Sequence, residues 1–149
     1  VSNIGITGTR FGLAIPQSKR LFEVLRRLFV PDSVLHHGDC KGVDEQGAAL
    51  ARAMGYELCS HPPSDDKLRA FVPSRFLMWP LPYMERNRAI VLQSSVLVAC
   101  PDSQVETLRS GTWSTVRIAR ELVLPVVLVF PDGRASLEVG NLQAEVPVC

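Results

Sequence analysis

Arginines, glycines and hydroxyl groups gather at four places in this chain, and together they supply the chemistry of anion binding. The first is Thr7-Gly8-Thr9-Arg10. Small residues there let backbone N–H groups approach a phosphate, and the Arg10 guanidinium forks onto its oxygens. A glycine in such a place otherwise serves only a turn. The second is Gly38-Asp39-Cys40-Lys41-Gly42-Val43-Asp44, in which two glycines flank Lys41 just before a helical pattern. Amide donors and the positive end of that helix would face a ligand. The G-x-x-x-x-G-K-[ST] spacing is absent, so this is not a Walker-type loop. Asp44 either caps the helix or accepts from ribose hydroxyls.

The third place is Glu85-Arg86-Asn87-Arg88. Two arginines in the first turn of a helix oppose its dipole, which requires a bound anion or a buried carboxylate nearby. The fourth is Ser110-Gly111-Thr112-Trp113-Ser114-Thr115. Hydroxyls, a glycine and a helix start make either a phosphate cradle or a simple cap at Ser110 or Thr112. Trp113 is either a stacking platform for a base or a core side chain.

These loops need elements to hold them. Short β-branched runs at Ile4-Gly5-Ile6, Val34 to His37, Val96 to Ala99 and Val126 to Phe130 predict buried strands, with a weaker one at Tyr56 to Cys59. Helices are expected over Pro16 to Phe29, Val43 to Met54, Met84 to Leu92 and Thr112 to Leu122. Gly55 ends the second and Pro125 separates the last from the final strand. Alternation of this kind predicts a three-layer α/β sandwich, with a mostly parallel central sheet and helices on both faces. Right-handed crossovers then bring all four loops to one sheet edge. Residues 60–82, with five prolines and Phe71, Phe76, Met78 and Trp79, break the rhythm as an irregular insertion. It reads as a lid if it packs across the edge, or as a subunit interface if its aromatics stay exposed. The tail after Gly133 carries little pattern and is left unassigned.

The 149 residues suit one domain over positions 1–149. Hydrophobic residues make up 46% and charged residues 21%, an ordinary soluble balance. Sixteen basic against fifteen acidic side chains exclude a surface built for polyanions in general, leaving room for a local basic site. Cys40, Cys59, Cys100 and Cys149 form no C-x-x-C pair and read as structural thiols, with no metal set expected. Reduced thiols, no leader-like apolar region and no membrane-length run point to the cytoplasm.

With the loops in place, the chain resembles the SLOG superfamily, which includes DNA-processing protein A and the Lonely Guy phosphoribohydrolases. The likeness runs from about Ile4 to Phe130. His37-Gly38-Asp39-Cys40-Lys41-Gly42-Val43-Asp44 is similar to the H-G-x-x-x-G-x-D loop of small stand-alone members. Arg86-Asn87-Arg88-Ala89-Ile90, with Ser94 and Val96 to Val98, is similar to the R-N-R-x-I helix and strand of DNA-processing protein A. Ser110-Gly111-Thr112 with Thr115 is similar to its S-G-[ST]-x-x-T loop. The resemblance implies a Rossmann-like fold, a nucleotide or nucleic-acid phosphate at these loops, and a homodimer. Lonely Guy enzymes carry P-G-G-x-G-T-x-x-E, and Thr115 stands at the glutamate position here. A threonine is no acid or base near neutral pH.

The leading expectation is therefore a binding module for a phosphate-bearing nucleotide derivative, acting as a sensor or carrier and requiring no further cofactor. Arg10, Lys41, Arg86, Arg88 and the Ser110 to Thr115 loop would hold phosphate. A hydrolase acting on an N-glycosidic bond is the first alternative, with Asp39, Asp44, Glu45 or Glu85 replacing the missing glutamate. Single-stranded DNA binding, with Trp79 or Trp113 stacking on bases, is the second.

Overall fold

A computed structural model describes residues 2–140 and 142–146; Cys149 lies outside them. The chain opens with β1 (Asn3–Gly8), α1 (Ile15–Leu28), β2 (Val34–His37), α2 (Val43–Met54) and β3 (Glu57–Ser60). A single 3-10 turn (Asp66–Leu68) and the two-residue β4 (Phe76–Leu77) follow. The remainder is α3 (Tyr83–Gln93), β5 (Val96–Cys100), α4 (Gly111–Glu121), β6 (Val126–Val129), β7 (Ala135–Val139) and β8 (Leu142–Glu145).

The strands form one sheet in the order β4-β3-β2-β1-β5-β6-β7-β8. All neighbours from β4 to β6 are parallel, and β7 and β8 add as an antiparallel hairpin. Alternation along the strands divides the core. Ile4, Ile6, Leu35, Leu58 and Val98 pack with Leu21, Leu25 and Ala48 of α1 and α2. Leu97, Ala99, Val126 and Leu128 pack with Val91 of α3 and Trp113, Val116 and Ala119 of α4. The architecture is the expected three-layer, Rossmann-like sandwich. No described helix is long and apolar enough to cross a membrane.

Local chemistry accounts for the helix limits. Pro16 sits in the first turn of α1, where its missing N–H costs nothing. Gly55 ends α2 in the left-handed conformation at φ 105°. The tail corrects the unassigned reading of the sequence. Residues 135–138 pair with β6, and buried Glu138 points at Arg120 of α4, with Arg120 Nε donating to its Oε1 at 2.7 Å. A strand whose inward residue is a carboxylate does not show hydrophobic alternation.

The insertion is an ordered strap with little regular structure. Its middle is tied to the β2–α2 loop, where Lys41 N donates to Leu68 O at 2.9 Å and Ala70 N donates to Asp39 O at 2.8 Å. Its aromatic side chains nevertheless remain outside, with Phe71 59% and Trp79 87% exposed. The strap therefore combines packing at the sheet edge with an exposed apolar surface.

Candidate functional site

Strands β2, β3 and β4 extend the sheet to one side of β1, and β5 and β6 extend it to the other. The order reverses between β1 and β5, the position where loops diverge and open α/β sheets bind ligands. Gly8 pairs with Cys100 there, and Thr9 N donates to Cys100 O at 3.1 Å. Above these strand ends lies a cavity of about 750 Å³, within the range of small-molecule sites.

Two glycines allow its base to close. A Cβ on Gly8 would lie 2.3 Å from the Val43 side chain, so only glycine lets α2 begin this near β1. Gly42 has φ 93°, and its Cβ would stand 2.5 Å from the Arg10 carbonyl. The first two loops thus pack backbone to backbone, joined by Val43 N donating to Thr9 O at 3.0 Å. Phe11 N donates to Thr9 Oγ1 at 3.2 Å. Arg10, at the rim, lies 5.0 Å above the Phe11 ring, whose residue is 77% exposed.

The opposite side is the start of α4. Ser110 Oγ accepts from Trp113 N at 3.3 Å, one of the two roles open to it. Gly111 has open space where a side chain would lie, leaving the helix end accessible from the cavity. Thr112 is buried and lines the cavity. Thr115 does not line it; its hydroxyl donates to Gly111 O at 2.9 Å within the helix. Trp113 is a core side chain, 3% exposed.

Arg86, Asn87, Gly38 and Asp44 form the inner wall. The Arg86 guanidinium is already engaged by the protein. Its Nε donates to Asn87 Oδ1 at 2.8 Å, while a terminal nitrogen donates to His61 O at 3.2 Å and to Gly38 O. Asp44 Oδ2 accepts from Cys40 N at 3.3 Å. Burial lifts the Asp44 carboxyl to about 6, against the pull of Arg86. The anion-or-carboxylate requirement raised by Arg86 is met by backbone carbonyls, Asn87 and nearby Asp44. Both side chains crowd Gly38, whose Cβ would lie 2.6 Å from Arg86 and 2.9 Å from Asp44.

Of the residues singled out in the sequence, Thr7, Gly8, Thr9, Arg10, Gly38, Asp44, Arg86, Asn87, Ser110, Gly111 and Thr112 line the cavity. Asp39, Lys41, Gly42, Arg88 and Thr115 do not. Asp39 is buried and anchors the strap, accepting from Arg69 Nε at 2.7 Å and Val72 N at 2.8 Å. Lys41 and Arg88 are exposed away from the lining. Gly42 acts through the backbone approach described above. Among the acidic groups that would replace the missing glutamate, Glu45 and Glu85 are exposed and also outside the lining.

The structure adds Phe11, Cys40, Asp102 and Arg109. Asp102 follows the end of β5 almost directly, so the switch-point rule applied to that strand points to it. Arg109 precedes the cap of α4, and both it and Arg10 lack a salt bridge among the described residues.

Neither a family model nor a curated protein matches this chain. Solved structures do. It is similar to the molybdenum cofactor binding protein of Rippkaea orientalis at 23% identity and TM-score 0.66, covering 87% of this chain and 76% of that one. The molybdenum cofactor carrier protein of Chlamydomonas reinhardtii aligns at 23% identity and TM-score 0.60, over 85% of this chain and 75% of that one. DNA processing protein A of Helicobacter pylori, whose structure concerns single-stranded DNA binding, aligns at 20% identity and TM-score 0.58. That alignment covers 85% of this chain and 64% of the Helicobacter chain. The fold is therefore shared with a molybdenum cofactor binding protein, a molybdenum cofactor carrier protein and DNA processing protein A.

Proposed function

We propose that this chain binds a phosphate-bearing nucleotide derivative in the switch-point cavity and serves as its carrier or sensor. The observation that carries the reading is the rim itself. Arg10 and Arg109 line the cavity with the open helix start at Gly111, and among the described residues neither forms a salt bridge. Two guanidiniums and a helix N-terminus favour a phosphate, and exposed Phe11 offers a face to a base. Two structural neighbours, a molybdenum cofactor binding protein and a molybdenum cofactor carrier protein, support the same use of the fold. Thr115, its hydroxyl held inside α4, supplies no acid–base group, which favours binding over N-glycosidic cleavage.

Calorimetry against nucleoside mono- and diphosphates, ADP-ribose and cyclic nucleotides tests this. At least one should bind, with affinity falling about tenfold in Arg10→Ala and in Arg109→Ala, the effect of one lost charge-assisted contact. No binding by folded protein overturns the proposal. So does tight binding of an oligodeoxynucleotide with none of any mononucleotide, which would favour the DNA reading.

A further inference from the structure

Three side chains outside the cavity converge on the other face of the sheet from Ile4 and Leu35. His36 of β2 and Cys59 of β3 are register partners, and His61 follows Cys59 by two residues. Strand alternation therefore points all three to one side. His36 Nδ1 lies 2.9 Å from His61 Nε2, and Cys59 Sγ lies 3.6 Å from the same nitrogen. One ligand atom from each residue falls within 4.8 Å of the other two. The residues are 4%, 1% and 2% exposed, so they meet in the interior.

We propose that His36, Cys59 and His61 form a binding site for one thiophilic closed-shell cation, zinc(II) or copper(I). Around such an ion, bonds of about 2.0–2.3 Å separate neighbouring ligand atoms by roughly 3.3–3.6 Å. The distance from Cys59 Sγ to His61 Nε2 already fits, and the two imidazoles need to part by a few tenths of an ångström. Thiolate with imidazole selects these metals, and the absence of a carboxylate from the set disfavours magnesium, calcium and manganese.

The surroundings fit ligation too. His36 Nε2 lies 2.9 Å from Asn3 Oδ1, and an amide oxygen only accepts. The proton is thereby held on Nε2, and the Nδ1 lone pair faces the cluster, as in ligating histidines oriented by an outer partner. On binding, the Cys59 thiol proton leaves to solvent and the His61 proton moves from Nε2 to Nδ1. One proton is released per ion. The filled site would join β2, β3 and the root of the strap, whose His61 carbonyl accepts from Arg86.

The test uses the full chain, reduced, denatured and refolded with each metal so that burial does not bar entry. Cobalt(II) should bind at one equivalent with a thiolate charge-transfer band in the near ultraviolet, and zinc(II) should displace it. Copper(I), added anaerobically with a chromophoric chelator as competitor, decides between the two metals. The band should disappear in Cys59→Ala and persist in Cys40→Ala. Where Cys59→Ala does not fold, X-ray absorption on the wild type should count one sulfur and two imidazole nitrogens. Neither metal binding at one equivalent, a band that survives in Cys59→Ala, or a shell without sulfur overturns the proposal.

Discussion

Arg86 sits among the sequence's phosphate ligands, yet its guanidinium is committed to the fold, and Arg86→Met separates the two roles. The substitution removes charge-assisted donors from the carbonyls of Gly38 and His61 and from Asn87 Oδ1. It also leaves the buried Asp44 carboxyl without the cation that lowers its energy. A hydrogen bond involving a charged group contributes about 1.5–3 kcal/mol, and breaking a buried charged arrangement from one side costs about 3–5 kcal/mol. We therefore expect a loss of about 3–5 kcal/mol in urea titration, equivalent to a fall of roughly 10 °C or more in Tm. Arg86→Lys should fall between, because a single ammonium does not reproduce the planar fork. Adding Asp44→Asn to Arg86→Met should recover about 1 kcal/mol, since the stranded carboxylate is then absent. A variant within about 1 kcal/mol of wild type, with an unchanged denaturant slope, would refute the bracing role and return Arg86 to the ligand.

Three further outcomes follow from other parts of the structure. Gly42→Ala, at φ 93° and with no room against the Arg10 carbonyl, should cost at least about 2 kcal/mol in denaturant titration, and a neutral effect would contradict the backbone contact of the two loops. Burial raises the Asp44 carboxyl from 3.8 to about 6, so its stabilising protonation is complete below the lower value and lost as pH rises through the upper one. The stability of Asp44→Asn relative to wild type should accordingly increase by about 3 kcal/mol from about pH 3 to about pH 7, and a flat difference would show that the carboxyl is solvated. If the homodimer implied by the resemblance forms through the strap, Trp79→Asp, at a residue 87% exposed, should yield a folded monomer in sedimentation equilibrium; a monomeric wild type at tens of micromolar removes that interface.

Much of the scaffold is local in origin and so could be read from the chain. Strands β1, β5 and β6 are apolar enough to declare themselves, and Pro16 and Gly55 mark helix limits by backbone chemistry that neighbours do not alter. The same holds for the loops after β1 and β2 and before α4, because a glycine beside a hydroxyl or a cation keeps its meaning wherever the chain places it. What a side chain touches is a different matter. Arg86, Arg10 and Arg109 are chemically identical and all line the cavity, yet only the first gives donors to Asn87 and to carbonyls from two distant segments.

Asp39, in a loop rich in phosphate-binding features, holds the strap because folding brings Arg69 and Val72 to it from thirty or more positions away. Strand β7 exists because β6 offers an edge and Arg120 receives Glu138. His36 and Cys59 meet only through the register of β2 with β3. The sequence by itself determined the layered sheet and the loops brought to its switch-point edge. The tertiary structure decided which charges remain available there, since neutralisation depends on partners that local periodicity does not encode.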